Sequence, residues 1–266
     1  MTPWPPGARA RLARDGLSVV GAVVVGWFLV AEPFIFGLDA FAYWSVDPAA
    51  PYVAHTDATR IGAFLYSPAA AQVAGPFGFV AWPVFVVGWT ALLIAALAWL
   101  GRWWTFALLA FPPVAYSIWL GNIDVPLAAA MVAGLRWPAA WAFVLLTKVT
   151  PGIGLLWFVV RREWRPLAVA LGVTAAIAGV SFAIAPNLWF AWPSALLEID
   201  DDVFQPVPLW ARFAAAAVLV VWGARTNRAW TVPLAGLIAL PWLSARSLAM
   251  LVGVAPLLRP RPHEAA

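Results

Sequence analysis

Three residues in this sequence carry reactive or charged groups where apolar neighbours would amplify their effect: Asp39, Lys148 and Arg246. Asp39 follows directly from a long apolar run, in Gly37-Leu38-Asp39-Ala40-Phe41-Ala42-Tyr43, so a rigid element holds it. A carboxylate so placed can act as a general base towards a hydroxyl. Equally, it can cap the backbone N–H groups of a short helix that follows it. Lys148 and Arg246 occupy turns between apolar arms, Lys148-Val149-Thr150-Pro151 and Ser244-Ala245-Arg246. Charge inside a membrane segment is functional by default, which makes both candidates to bind an anion. The alternative is that each snorkels to headgroups or pairs with a nearby acid. A third turn, Gly121-Asn122-Ile123-Asp124, brings an amide and a carboxylate together.

Other polar groups read more plainly. Glu32 is a second acid within the first apolar run, or a partner for Arg60 or Lys148. Asp47 and Asp57 lie further into the following loop and are expected to be solvated. Glu198 with Asp200-Asp201-Asp202 invites a metal reading, because hard cations take several carboxylate oxygens. Adjacent aspartates rarely converge without glycine-directed turns, so a solvated loop is the expectation, with no metal and no cofactor. His55 and His263 are too far apart in the chain to suggest a metal centre. No phosphate-cradling glycine loop, nucleophile elbow or zincin helix is present.

The elements that must position these groups follow from composition. Of 266 residues, 64% are apolar and only 11% charged, against roughly 45–50% and about 25% in soluble domains. With mean hydropathy +0.86, the excess cannot be hidden in a water-soluble core of this size. Disorder is excluded too, since 15% aromatic content and 19 tryptophans are the opposite of its signature. Cysteine is absent, so disulfides and thiolate metal sites are excluded. The abundance of alanine and of arginine over lysine fits a GC-rich bacterial genome. The chain reads as one all-α, integral-membrane domain over residues 1–266.

Apolar runs long enough to span a bilayer, about 17–25 residues, occur at Leu17–Phe36, Phe77–Leu100, Trp103–Leu120, Pro166–Ala185 and Val207–Ala224. Arg9, Arg11 and Arg14 before the first set the N-terminus in the cytoplasm by the positive-inside rule. The stretches Trp103–Leu135, Trp137–Val160 and Ala229–Leu258 are each bracketed by arginines. If the last two were single crossings, Arg161, Arg162 and Arg165 would lie outside, so all three are read as hairpins. The result is about 8–10 membrane segments with both termini cytoplasmic. An arm of about 13 residues reaches only about 20 Å, short of the roughly 30 Å hydrocarbon slab. Some tips should therefore stop below the outer surface, where irregular backbone is tolerated only around a protein-enclosed or watery cavity. The loop from Gly37 to Pro76 is too apolar to hang free and is expected to pack over the bundle as short helices along the membrane surface.

The Gly-x-Asp after the first helix, the Pro51-Tyr52 and Tyr66-Ser67-Pro68 of the following loop, and the Gly-Asn-x-Asp turn together resemble glycosyltransferase family 87. So does Leu146-Thr147-Lys148-Val149-Thr150-Pro151, followed by Gly152-Ile153-Gly154-Leu155-Leu156-Trp157 and Arg161-Arg162-Glu163-Trp164-Arg165. The resemblance spans about residues 17–260. It implies a C-type integral-membrane glycosyltransferase architecture, a polyprenyl-phosphate sugar donor (often mannose), an extracytoplasmic active site, and Asp39 as the base. A glycolipid or glycan of the envelope would be the acceptor, with no nucleic acid involved. On that reading Lys148 and Arg246 bind the donor phosphate. Asn122 and Asp124 hold sugar hydroxyls, and Tyr43 and Tyr66 supply stacking surfaces. The rivals are a transporter or flippase of lipid-linked sugar, and a shortened homologue that scaffolds envelope enzymes.

Overall fold

A computed structural model describes residues 7–52, 63–197 and 207–258. The described residues are helical, without strands. The first helix, α1 (Ala8–Ala31), leads through a turn of 3-10 helix (Pro33–Ile35) to α2 (Leu38–Trp44). Then follow α3 (Pro68–Ala74), α4 (Trp82–Gly101) and the single turn α5 (Thr105–Leu108). A bent pair comes next, α6 (Pro112–Leu120) and α7 (Asp124–Gly134), meeting at 106°. The second short pair is α8 (Trp141–Thr147) and α9 (Leu156–Val160), with 3-10 turns before each. After α10 (Trp164–Ile184) and α11 (Pro186–Leu197) come α12 (Leu209–Arg225) and α13 (Thr231–Ile238). A long 3-10 helix, Ala245–Gly253, completes the third short pair.

Local chemistry sets the boundaries. Proline stands in the first turn of α3, α4 and α6, where the lost N–H has no intrahelical partner anyway. Residues of positive φ follow the ends of four helices, at Arg102, Gly121, Arg162 and Asn227, and Gly121 is a left-handed cap. The run Trp103–Leu120, expected as one span, is instead broken. Phe111 is forced extended (ψ 105°) by the proline that follows it, so α5 and α6 are separate pieces. The segments expected from hydropathy correspond to α1, α4, α10, α12 and the six short arms. Three of these, α1, the helix beginning at Trp82, and α10, are long and apolar enough to cross a bilayer, or four if the bent pair counts as one span. This is a polytopic, all-α membrane protein.

Packing divides the helices into two kinds. The interior is built from α4, α6, α7, α8, α9, α12, α13 and the 3-10 helix Ala245–Gly253, around Leu93, Leu97, Leu127, Met131, Trp141, Phe158 and Met250, all almost fully enclosed. By contrast α1 and α10 bury only 11% of their apolar window and present the rest outward. That contrast suits lipid, where helices associate by close packing and not by escaping water. Small residues mark the closest approaches: Gly223 lies against Thr231, and Gly236 against Met131. In the first long connection, α2 packs on α4 and α6, and α3 on α8 and α10. The described part of residues 37–76 thus lies against the bundle, as its apolar character predicts.

A candidate active site at the converging hairpin tips

The tips of the three short pairs and the start of α2 meet at one end of the bundle. Gly37 adopts a left-handed conformation (φ 72°), and its N–H donates to the Trp119 carbonyl at 2.8 Å, which ties α2 to the end of α6. Trp119 Nε1 donates in turn to the Glu32 carbonyl at 2.9 Å. At the α6–α7 tip Gly121 is also left-handed (φ 77°), and a Cβ there would come within 2.5 Å of Ala40 Cβ. Only glycine lets α2 approach this closely. Trp89 Nε1 fastens the same tip from α4 by donating to the Gly121 carbonyl at 2.8 Å.

That approach creates a chain of polar contacts across four elements. Asn122 Nδ2 donates to Asp39 Oδ2 at 2.7 Å. The other side of the amide, Asn122 Oδ1, accepts the Asp124 backbone N–H at 2.9 Å. Asp124 Oδ1 pairs with Lys148 Nζ at 2.5 Å. Arg246 Nη1 lies 3.4 Å from Asp39 Oδ1 and 3.3 Å from Oδ2. Two carboxylates and two cations therefore share the site, and their formal charges cancel. Exposure is graded: Asp124 is sealed at 0%, Asp39 and Lys148 are about a fifth exposed, and Arg246 is 40% exposed.

Tyrosines flank this chain. Tyr43 and Tyr66 join hydroxyl to hydroxyl at 3.0 Å with ring centroids 5.6 Å apart. Tyr52 donates to the Tyr66 carbonyl at 2.8 Å. Burial pushes all three phenols above the ordinary tyrosine value, with Lys148 partly opposing the rise at Tyr66. They are neutral hydrogen-bonding groups at physiological pH. Ser67 Oγ donates to the Leu146 carbonyl at 2.6 Å, locking the loop that carries Tyr66 to the hairpin that carries Lys148.

All seven residues singled out from sequence fall at this end of the bundle, in contexts that sharpen their reading. Asp39 does not cap α2; Gly37 holds the cap position, and the carboxylate turns to Asn122 and Arg246. Lys148 and Arg246 both pair with acids, and the acid paired with Lys148 is Asp124, not Glu32. Asn122 and Asp124, expected to touch sugar, are buried, and each spends one polar atom on a neighbour in the site, Asn122 Nδ2 on Asp39 and Asp124 Oδ1 on Lys148. Asp47 accepts the Ala49 N–H at 2.9 Å within an exposed turn, apart from the site. His55, Asp57, Arg60, His263 and the acidic run Glu198–Asp202 lie outside the described residues. Sequence reasoning missed Arg212, which is buried and bonded to the last hairpin turn. The signal was available: an arginine inside the apolar run Val207–Ala224.

Chemically, the arrangement offers one carboxylate, about a fifth exposed, oriented by an amide at one oxygen and faced by Arg246 at both. The arrangement sets Arg246 beside it and Lys148 one link away, paired to Asp124. It suits proton removal from a hydroxyl beside an anionic group.

A profile of glycosyltransferase family 87 matches residues 64–266, a stretch that holds Tyr66, Asn122, Asp124, Lys148 and Arg246. A polyprenol-phosphate-mannose-dependent alpha-(1-2)-phosphatidylinositol mannoside mannosyltransferase of Mycolicibacterium smegmatis is 26% identical over 230 residues, covering 69% of this chain and 52% of that protein. The chain thus spans about half the length of that relative. No solved structure matches it.

Proposed function

The chain belongs to glycosyltransferase family 87, and on that premise we propose that it transfers a hexosyl unit, mannose by analogy with its relative, from polyprenyl phosphate to a glycolipid or glycan hydroxyl. The observation that carries this reading is Asp39, fixed between Asn122 and Arg246 at the meeting point of the hairpin tips. Asp39 takes the proton of the acceptor hydroxyl as its oxygen attacks the anomeric carbon. The bond from that carbon to the phosphate oxygen breaks on the opposite face, so configuration inverts. Polyprenyl phosphate departs with the bonding pair and needs no strong acid. Arg246 and Lys148 stabilise its growing charge in surroundings where water is scarce and electrostatic terms are large. Asn122 and Asp124 act through Asp39 and Lys148 by holding them in place. Tyr66 frames the acceptor side as a neutral aromatic and hydroxyl surface, with the buried Tyr43 bonded behind it.

The site faces the extracytoplasmic side, with both termini cytoplasmic. What supports this is the distribution of arginine: Arg102, Arg136, Arg161, Arg162, Arg225 and Arg228 follow α4, α7, α9 and α12 at the ends away from the hairpin tips. No metal ion or soluble nucleotide enters the scheme.

The test is transfer of radiolabelled mannose from polyprenyl phosphate to a glycolipid acceptor by the purified full chain in liposomes. Label recovered in the acceptor with inverted configuration supports the reading. Movement of the donor between leaflets without transfer would replace it with a flippase, and neither activity would leave a scaffold.

A further inference from the structure

Arg212 is the buried cation that the scheme above does not use. It sits in the first turn of α12 with 7% of its surface exposed. Its three guanidinium nitrogens all donate to backbone carbonyls: Nε to Val207 at 3.1 Å, Nη1 to Leu240 at 2.6 Å and Nη2 to Pro241 at 2.7 Å. Two of these acceptors belong to the irregular turn after α13. The α13 end has already spent the Ala235 and Leu237 carbonyls on the N–H groups of Ala239 and Leu240. Beyond it the chain has no helical partner for its next carbonyls, and unpaired carbonyls at this depth would be costly. A positive charge there also complements the negative end of the helix dipole.

The geometry of the turn connects Arg212 to the site. Ser244 and Ser247 cap the 3-10 helix that begins at Ala245, and Arg246 is its second residue. Only Trp242 and Leu243 lie between the carbonyl held by Arg212 and that cap. The position of Arg246 over Asp39 is therefore set by two devices, the capping serines on one side and the Arg212 fork on the other. A planar guanidinium is suited to this because its N–H directions are fixed, whereas an ammonium on a flexible stem cannot hold three carbonyls in one plane.

From these contacts we infer that Arg212 is a positioning residue: it fixes the 240–244 turn so that Arg246 is delivered to the Asp39 carboxylate and the donor phosphate. The inference rests on the phosphate-binding role proposed for Arg246. It assigns no contact between Arg212 and substrate.

Two readouts test it on the full chain in detergent or liposomes. In the mannosyl transfer assay, Arg212→Lys and Arg212→Gln should lower kcat/KM for the donor about tenfold. Introduced into an Arg246→Ala background, neither should lower it further, because the residue being positioned is gone. Equal losses in both backgrounds would show a general structural role and overturn the inference. The second readout needs no activity. The chain has no cysteine, so a nitroxide on Leu243→Cys reports the turn alone; it should be immobile in the parent and mobile with either Arg212 variant. Unchanged mobility overturns the inference, as does misfolding of both variants. A parent chain without transfer activity sinks the proposed reaction instead, and the spin label then decides the role of Arg212 by itself.

Discussion

Asn122 and Asp39, 83 residues apart in the chain, are joined by a 2.7 Å hydrogen bond from Asn122 Nδ2 to Asp39 Oδ2. The same amide accepts the N–H that opens α7. One side chain thus sets both the direction of the carboxylate and the start of the helix carrying Asp124.

Replacing the carboxylate tests its role directly. Asp39→Asn keeps the shape and removes the proton acceptor, so turnover should fall by about 10²–10⁴-fold while membrane insertion stays normal. Wild-type turnover per folded molecule would exclude Asp39 as the base. Asn122→Ala should show a smaller loss of turnover, since it removes orientation and leaves the base.

The Lys148–Asp124 pair should respond asymmetrically. Lys148→Ala strands a fully buried carboxylate, one of whose oxygens already lacks a partner. Asp124→Ala leaves a lysine that is 22% exposed and can reach water. Losing one member of a buried pair costs about 3–5 kcal/mol, so Lys148→Ala should approach that figure and Asp124→Ala fall below it. The double variant should recover part of the loss. Thermal unfolding in one detergent measures all three, and the opposite order would show that Asp124 is not sealed.

Gly121→Ala should be poorly tolerated although it adds one methyl group. The left-handed backbone costs a non-glycine residue about 1–3 kcal/mol, and the methyl meets Ala40 at 2.5 Å. Pushing α2 away lengthens the contact between Asp39 and Asn122, so activity should fall more steeply than melting temperature. A fully active Gly121→Ala protein would show that α2 reaches the site without this close approach.

Alkaline titration should report the tyrosine cluster. In a Tyr116→Phe variant the remaining tyrosines are Tyr43, Tyr52 and Tyr66, whose folded-state pKa values are raised by burial. Their phenolate absorbance should stay low through about pH 10, the ordinary value. The sign follows: the unfolded chain releases these protons first, so stability is intact below about pH 10 and is lost as the pH climbs beyond it. Phenolate appearing at the ordinary value before unfolding would contradict their burial.

Sidedness can be measured independently of activity. A single cysteine at Ser194 should be labelled from outside intact cells, and one at Thr226 only after permeabilisation. A cysteine at Ala58, beyond the described residues, should behave like the one at Ser194. Reversal of Ser194 and Thr226 would place the hairpin tips on the cytoplasmic side.

Sequence alone determined the class of molecule and its polar inventory. An apolar excess that no aqueous core can hold forces a membrane bundle, and the arginines at Arg102, Arg136, Arg161 and Arg228 mark where apolar arms reverse. The turns at Asn122, Lys148 and Arg246 stand out because polar groups there are expensive. The family, too, was legible in the order of short motifs from Gly37 to Arg165. Which polar group meets which was decided only by the tertiary structure. Spacing along a chain carries no distance between separate hairpins, so it could not choose Asp124 over Glu32 for Lys148. Nor could it show that Asn122 bonds to Asp39 and Asp124 to Lys148, or that Arg212 spends its charge on a turn 28 residues away. Those outcomes depend on how closely helices approach, and that is set by atoms such as the missing Cβ of Gly121, whose effect appears only once α2 is packed against it.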